Sequence, residues 1–259
     1  MLNRFFSLDG KVALVTGGGR GIGQAVAQAL AGCGAAVAVA SRTSSELEET
    51  VSAIRAQGGT AAPFSVDLKE RGAADRLVSQ TVATFGKIDI LLTSSGTIVR
   101  KPALDIEEGD WDPVITLNLK TRFFAAQAAA RQMCERGGSI IHISSLSAFF
   151  GIPNQMAYAA GNGGVAAMTR AQAVEWAPFN IRVNAIAPGS IKTRQTEGLF
   201  ANPEALASRL NKVPLGRIGE PGDVAGAAVF LASAAATYIT GHILVVDGGW
   251  LAAGGESKA

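Results

Sequence analysis

Short apolar runs and longer amphipathic stretches alternate along the whole chain. The apolar runs fall at residues 11–16, 35–40, 62–66, 88–93, 139–143, 181–186 and 242–246, and the first reads KVALVT. Each is nearly continuous in Val, Ile, Leu and Ala, as expected of strands buried on both faces beneath covering helices. Between them, apolar residues recur at helical spacing over residues 22–31, 44–57, 73–85, 111–136, 157–177 and 221–233. Gly58-Gly59 and Gly86 close the second and third of these helices. Strand and helix in alternation predict βαβ units, and so a doubly wound α/β fold around a seven-stranded parallel sheet with helices on both faces. No linker, repeat or low-complexity tract divides the chain, so residues 1–259 are expected to form a single domain. The stretch 189–215 is the least regular part and is expected to be an irregular, functional excursion.

Composition narrows the function classes. A chain of 259 residues that is 48% hydrophobic and 17% charged can bury a large core and is not disordered. The 31 glycines show no G-X-Y period, so they point to turns and close backbone approaches. A net charge of +2, with no dense Lys/Arg stripe, excludes an electrostatic nucleic-acid binder. The N-terminus lacks the apolar core of a signal peptide, and no apolar run is long enough to span a bilayer. Cys33 and Cys134 belong to no C-x-x-C pair and are expected to be two buried free thiols. These features predict a soluble cytoplasmic protein with no membrane or nucleic-acid partner. No His, Cys and carboxylate cluster has metal-ligand spacing, so no metal is expected.

The strongest motif is Thr16-Gly17-Gly18-Gly19-Arg20-Gly21-Ile22-Gly23. Glycine repeats of this kind carry weight only between a strand and a helix, and that is where these fall. Glycine allows the tight turn and lets backbone approach a pyrophosphate, while the following helix offers free N–H groups and the positive end of its dipole. The reading is a Rossmann-like dinucleotide site; the plain alternative is a structural strand–helix turn.

The spacing T-G-x-x-x-G-x-G resembles that of the short-chain dehydrogenase/reductase family, and further motifs extend the resemblance over essentially the whole chain. Asp67-Leu68 matches the family's acidic position beside the adenine. Asn118 matches its helix asparagine. Tyr158 follows Ser145 by thirteen positions, the family's serine–tyrosine spacing. The segment from Pro188 and Gly189 through Ser190, Ile191, Lys192 and Thr193 matches the segment beside the nicotinamide, and Val246-Asp247-Gly248-Gly249 matches the family's ending. The resemblance implies NAD(P) bound by Gly17, Gly19, Arg20, Gly21, Ile22, Asp67, Leu68, Ser94, Gly96, Tyr158, Asn162, Pro188, Gly189, Ile191 and Thr193.

The second strand ends Val39-Ala40-Ser41-Arg42. An acid there would bind the ribose 2′-hydroxyl of NAD, whereas a nearby arginine suits the 2′-phosphate of NADP. Ser41 with Arg42, and Arg20 as a second cation, therefore favour NADP(H), with NAD(H) possible; alternatively Arg42 is a solvated surface residue.

By the same resemblance, Tyr158 exchanges a proton with the substrate oxygen, Ser145 hydrogen-bonds that oxygen, and Asn118 supports the proton relay. The family's lysine, four residues after the tyrosine, is absent: Asn162 stands in its place. The family's N-N-A-G is here Thr93-Ser94-Ser95-Gly96. A cation about 5 Å from a phenolate, at an effective dielectric near 20, is worth roughly 3 kcal/mol, or about two pKa units. Asn162 cannot supply that charge, although its amide can donate to a ribose hydroxyl. The expectation is a slow enzyme, less impaired as a reductase because the tyrosine then starts protonated. Lys192 is either a surrogate cation or a solvent-facing lysine, and His142 is a packed strand histidine in preference to a catalytic one.

The segment 98–104, Glu175-Trp176-Ala177 and Gly248-Gly249-Trp250-Leu251 are similar to the gluconate 5-dehydrogenase and 2-deoxy-gluconate 3-dehydrogenase branch. That implies a sugar acid, polyol or related carbonyl substrate, with Arg100, Lys101 or Arg194 either pairing with its carboxylate or serving as surface charges. Residues 189–215 would then be a substrate lid. Phe149, Phe150, Ile152 and Met156 either line the substrate wall or pack. The family also implies a homotetramer. Two functions stand: an NADPH-dependent oxidoreductase, or a catalytically silent nucleotide-binding or partner subunit on the same fold.

Overall fold

The computed structural model describes residues 2–254. Seven strands among them form one sheet: β1 (Val12–Thr16), β2 (Ala36–Ser41), β3 (Ala61–Ser65), β4 (Ile90–Thr93), β5 (Gly138–Ile143), β6 (Ile181–Pro188) and β7 (Ile243–Val246). Their order is β3-β2-β1-β4-β5-β6-β7, and every pairing is parallel. Helix α1 (Leu2–Phe6) precedes the sheet. Helices α2 (Gly21–Gly32), α3 (Ser44–Ala56), α4 (Ala73–Phe85), α5 (Glu108–Ile115), α6 (Thr121–Met133), α7 (Met156–Trp176), α8 (Glu197–Phe200), α9 (Pro203–Leu210) and α10 (Pro221–Ala232) follow in turn. The doubly wound α/β architecture expected from the sequence is the one observed.

The near-continuous apolar strands follow from burial on both faces. In β1, Ala13 and Val15 join a core with Val26, Leu30, Val51 and Val224 from α2, α3 and α10. Leu14, between them, points the opposite way into a core with Leu77, Ala126 and Met133 from α4 and α6. Alternate residues thus serve two separate cores, as the two-residue strand repeat requires.

Three expectations need correction. The helix expected at 111–136 is two helices, α5 and α6, joined by a π-helical turn at Thr116–Lys120 that carries Asn118. A single extra residue per turn leaves the apolar pattern nearly unchanged, so periodicity does not reveal it. The stretch 189–215 is not wholly irregular, because α8 and α9 lie within it; Asn202 caps α9 by accepting from the Glu204 and Ala205 N–H groups. The cysteines are not both buried: Cys33 is half-buried at the end of α2, and burial raises its thiol pKa, but Cys134 is exposed. Met133 takes the core position, and the next residue lies about 100° further round the helix.

Candidate active site

The strand order reverses between β1 and β4, where crossovers leave the sheet in opposite directions and a crevice opens beyond the carboxyl ends. A cleft of about 1290 Å³ lies there. Its walls are residues that follow each of β1 to β7, the start of α7 and part of the segment before α10.

The glycine loop is close-packed. Gly17 has φ +70°, and a Cβ on it would come within 2.7 Å of the Ser95 nitrogen. A Cβ on Gly23 would lie 2.1 Å from the Gly17 carbonyl oxygen, so no larger residue fits without moving the loop. Thr50 Oγ1 lies 3.1 Å from the Gly18 carbonyl and 3.3 Å from that of Gly19, anchoring the loop to α3. Arg20 stands before α2 without capping it by its side chain, so the first-turn N–H groups face the cleft available to an anion. Beside the loop, Ser41 Oγ is buried and has no partner among the described residues. A Cβ on Gly19 would come within 3.0 Å of that oxygen. A buried hydroxyl without a partner costs stability, and a ribose or phosphate oxygen would satisfy it. Arg42 is exposed at the same end of the cleft. Arg20 and Arg194 both reach Glu46 Oε1, at 3.2 and 3.4 Å. These residues fit a dinucleotide carrying extra negative charge near Ser41.

Of the residues singled out from sequence, Gly17, Gly19, Arg20, Gly21, Ile22, Ser41, Arg42, Asp67, Leu68, Ser94, Gly96, Ser145, Tyr158, Pro188, Gly189, Ile191 and Thr193 all line this one cleft. Asn118 and Asn162 do not. Asn118 is fully buried; its Oδ1 accepts from the Thr97 N–H and its Nδ2 donates to the Thr97 carbonyl, both at 2.8 Å. It therefore pins the loop segment that follows Gly96. Asn162 is buried too, and its Nδ2 donates to the Tyr158 carbonyl one helical turn back, at 2.9 Å.

Thr93 has a definite structural task. Its hydroxyl lies 2.8 Å from His142 Nδ1, and His142 Nε2 lies 3.0 Å from Gln172 Oε1. The acceptor on Gln172 fixes the tautomer: Nε2 carries the hydrogen and Nδ1 accepts from Thr93. His142 is fully buried, and burial above all, opposed by the Gln172 bond and reinforced by the Arg122 charge, holds its pKa down at about 4. It is a packed strand histidine that ties β4 and β5 to α7 just below the cleft.

Sequence reasoning missed Arg122 and Arg209. Arg122 sits in the first turn of α6, 5% exposed, with its guanidinium between the ends of β4 and β5. Nε and Nη2 donate to the Ser95 carbonyl at 3.3 and 3.0 Å, and Nη1 donates to the Ile143 carbonyl. Burial lowers its pKa to about 10, and the Tyr158 phenolate opposes that shift. An arginine within an otherwise alanine-rich helical face was the available signal. Arg209, on α9, stacks over the Trp250 ring at 4.5 Å and lines the cleft with Arg100. Burial first, and then the Arg100 charge, lowers its pKa.

Other expected cations are engaged elsewhere. Lys101 pairs with Asp110 at 2.7 Å, which raises the lysine pKa and lowers that of the aspartate. Lys192 is exposed beside Glu220 at 4.0 Å and does not line the cleft. Of the four apolar residues offered as a substrate wall, Ile152 lines it; Phe150 packs on Trp250 at 5.5 Å between ring centres, and Phe149 and Met156 are exposed.

Comparison with known proteins places this cleft in context. The family model described as enoyl-(acyl carrier protein) reductase matches residues 17–251. The chain is 42% identical to 2-dehydro-3-deoxy-D-gluconate 5-dehydrogenase of Escherichia coli (strain K12) over 254 residues, 97% of this chain and 100% of that protein. A short-chain type dehydrogenase/reductase from Mycobacterium marinum superposes with a TM-score of 0.92 at 38% identity, covering 96% of this chain and 99% of that one. A gluconate 5-dehydrogenase from Burkholderia cenocepacia J2315, solved in complex with NADP and tartrate, superposes with a TM-score of 0.93 at 34% identity, covering 97% and 99%.

Proposed function

The chain belongs to the short-chain dehydrogenase/reductase family, and from that premise we propose that it is an NADP(H)-dependent oxidoreductase that interconverts a ketone and a secondary alcohol on a sugar acid. One observation carries the reading: Ser145 and Tyr158 stand on the wall of the same cleft that holds the glycine loop, Ser41 and Arg42. The full-length similarity to named dehydrogenases disfavours a silent subunit.

Bound NADP(H) supplies or accepts the hydride at its nicotinamide. The Gly17–Gly23 turn and the α2 N-terminus would receive the pyrophosphate, Asp67 and Leu68 would hold the adenine, and Ser41 with Arg42 would meet the 2′-phosphate. Pro188, Gly189, Ile191 and Thr193 would border the nicotinamide, alongside Ser94 and Gly96. Ser145 donates a hydrogen bond to the substrate oxygen. In reduction, Tyr158 gives that oxygen its phenolic proton; in oxidation the phenolate takes the proton back. Asn118 and Asn162 act from behind the wall, the first through Thr97 and the second through the Tyr158 carbonyl. The substrate carboxylate pairs with Arg100 and Arg209, since Lys101 and Arg194 are held by Asp110 and Glu46. α8 and α9 form the lid.

Phe123 and Phe124 of α6, Val174 of α7 and the nearby Phe179 are exposed large apolar residues, which supports pairing of these helices in a homotetramer. No helix among the described residues is long and apolar enough to cross a membrane. Two free cysteines suit a reducing cytoplasm.

The test is a nicotinamide absorbance assay over sugar acids and their keto derivatives, with wild type and Tyr158→Phe. Turnover on sugar acids that falls by at least about 10²-fold in Tyr158→Phe is expected. Wild-type inactivity on the whole set, or full activity in Tyr158→Phe, overturns the reading.

A further inference from the structure

We propose that Arg122 supplies, from α6, the positive charge that Asn162 cannot supply from α7, and so acts as an electrostatic positioning residue for Tyr158. The inference rests on the functional reading above and concerns one residue of that site.

Burial is the first argument. Arg122 is almost wholly buried, yet no carboxylate lies within ion-pair distance of it among the described residues. Burying a guanidinium without a counter-ion is strongly unfavourable, so a packed apolar residue would serve the fold better here. Its hydrogen bonds go to two backbone carbonyls, of Ser95 and Ile143, which leave the charge itself uncompensated.

Location is the second argument. Those carbonyls sit at the carboxyl ends of β4 and β5, beside Gly96 and two residues before Ser145. A Cβ on Gly96 would come within 3.2 Å of Nη2, so glycine there leaves the guanidinium room. Arg122, Ser145 and Tyr158 line the same cleft. The group whose charge opposes the desolvation of Arg122 is Tyr158. His142, the other titratable group coupled to Arg122, is neutral near pH 7. Arg100 and Arg209 share the cleft wall.

Asn162 and Arg122 then complement each other. With Asn162 bonded to the helix backbone, the tyrosine lacks a lysine on its own helix. A cation carried by the neighbouring helix restores the charge without a side chain at position 162. Arg122 also stays charged at every pH the enzyme meets, which a buried lysine need not.

The sequence holds two tyrosines, Tyr158 and Tyr238, and Tyr238 is fully exposed. Tyr238→Phe therefore leaves one phenolate to follow by ultraviolet absorbance in the cofactor-free protein. Adding Arg122→Met is expected to move the pH of half-ionisation up by about one to two units, while Arg122→Lys moves it far less. The alkaline shift should recur in the pH profile of kcat for alcohol oxidation. An unmoved midpoint in a folded Arg122→Met protein overturns the proposal. If Arg122→Met does not fold, Arg122→Gln keeps an amide donor for the Ser95 carbonyl and takes its place. Because the titration needs no turnover, inactivity on sugar acids would refute the proposed function and leave this test standing.

Discussion

Acidification should unlock the strand pair beneath the cleft through His142. The neutral imidazole accepts from Thr93 at 2.8 Å and donates to Gln172 at 3.0 Å, in full burial. Protonation would place the ring's second hydrogen on Nδ1, which now accepts, and a charge beside the buried Arg122. The folded pKa of about 4 lies below the unfolded value of about 6.5. Between those pH values the unfolded chain binds the proton and the folded chain does not, so stability falls as pH falls. The contribution is fully present above about pH 7. Linkage gives a loss of about 2 kcal/mol by pH 5 and about 3 kcal/mol by pH 4. Carboxylates also titrate in this range, so the quantity to measure is a double difference. Urea unfolding of wild type and His142→Gln at pH 7.5 and pH 5, at one protein concentration, isolates it. Wild type should lose about 2 kcal/mol more than His142→Gln over that interval. Equal losses would mean that His142 is not held neutral, and the tautomer assigned from Gln172 would be wrong.

Three other outcomes follow from the same structure. Arg42→Ala should weaken NADPH binding about 10- to 100-fold while leaving NADH within about twofold, because a charge-assisted bond to phosphate is worth about 1.5–3 kcal/mol; equal losses for both cofactors in a fluorescence titration would refute the assignment. Arg209→Gln should raise KM for a sugar acid about tenfold or more and spare a neutral polyol, which steady-state kinetics on both substrates would show. Light scattering should give four copies for wild type and fewer for Phe124→Lys, since a charge would replace an exposed ring on α6; a monomeric wild type would refute the tetramer.

Both the seven strands and the glycine turn were legible in the sequence because each is a local pattern. Val, Ile, Leu and Ala in unbroken short runs have one stable use, between two layers of helix. Gly17 and Gly23 leave no room for a side chain, and that constraint is written into eight consecutive residues. The Ser145–Tyr158 spacing was also readable, and the fold sets both residues on one cleft. Less visible were features that depend on what folds against what. The π turn at Thr116–Lys120 changes the helix by a residue that periodicity absorbs, yet it accompanies the reciprocal bonds between Asn118 and Thr97. Lys101 and Arg194 had the right charge for a substrate carboxylate, but Asp110 and Glu46 engage them.

The sequence by itself determined the architecture, the cofactor class and the absence of a lysine at position 162. Only the tertiary structure decided which side chains gather around one cleft. Arg122 lies 36 positions before Tyr158 in the chain, and the two line one cleft only when β4, β5, α6 and α7 converge. Strand and helix patterns are governed by burial along a single element, so they can be read from neighbours in sequence. Electrostatic partnership depends on distance and burial in space, and those are set by the packing of elements that the chain lists far apart.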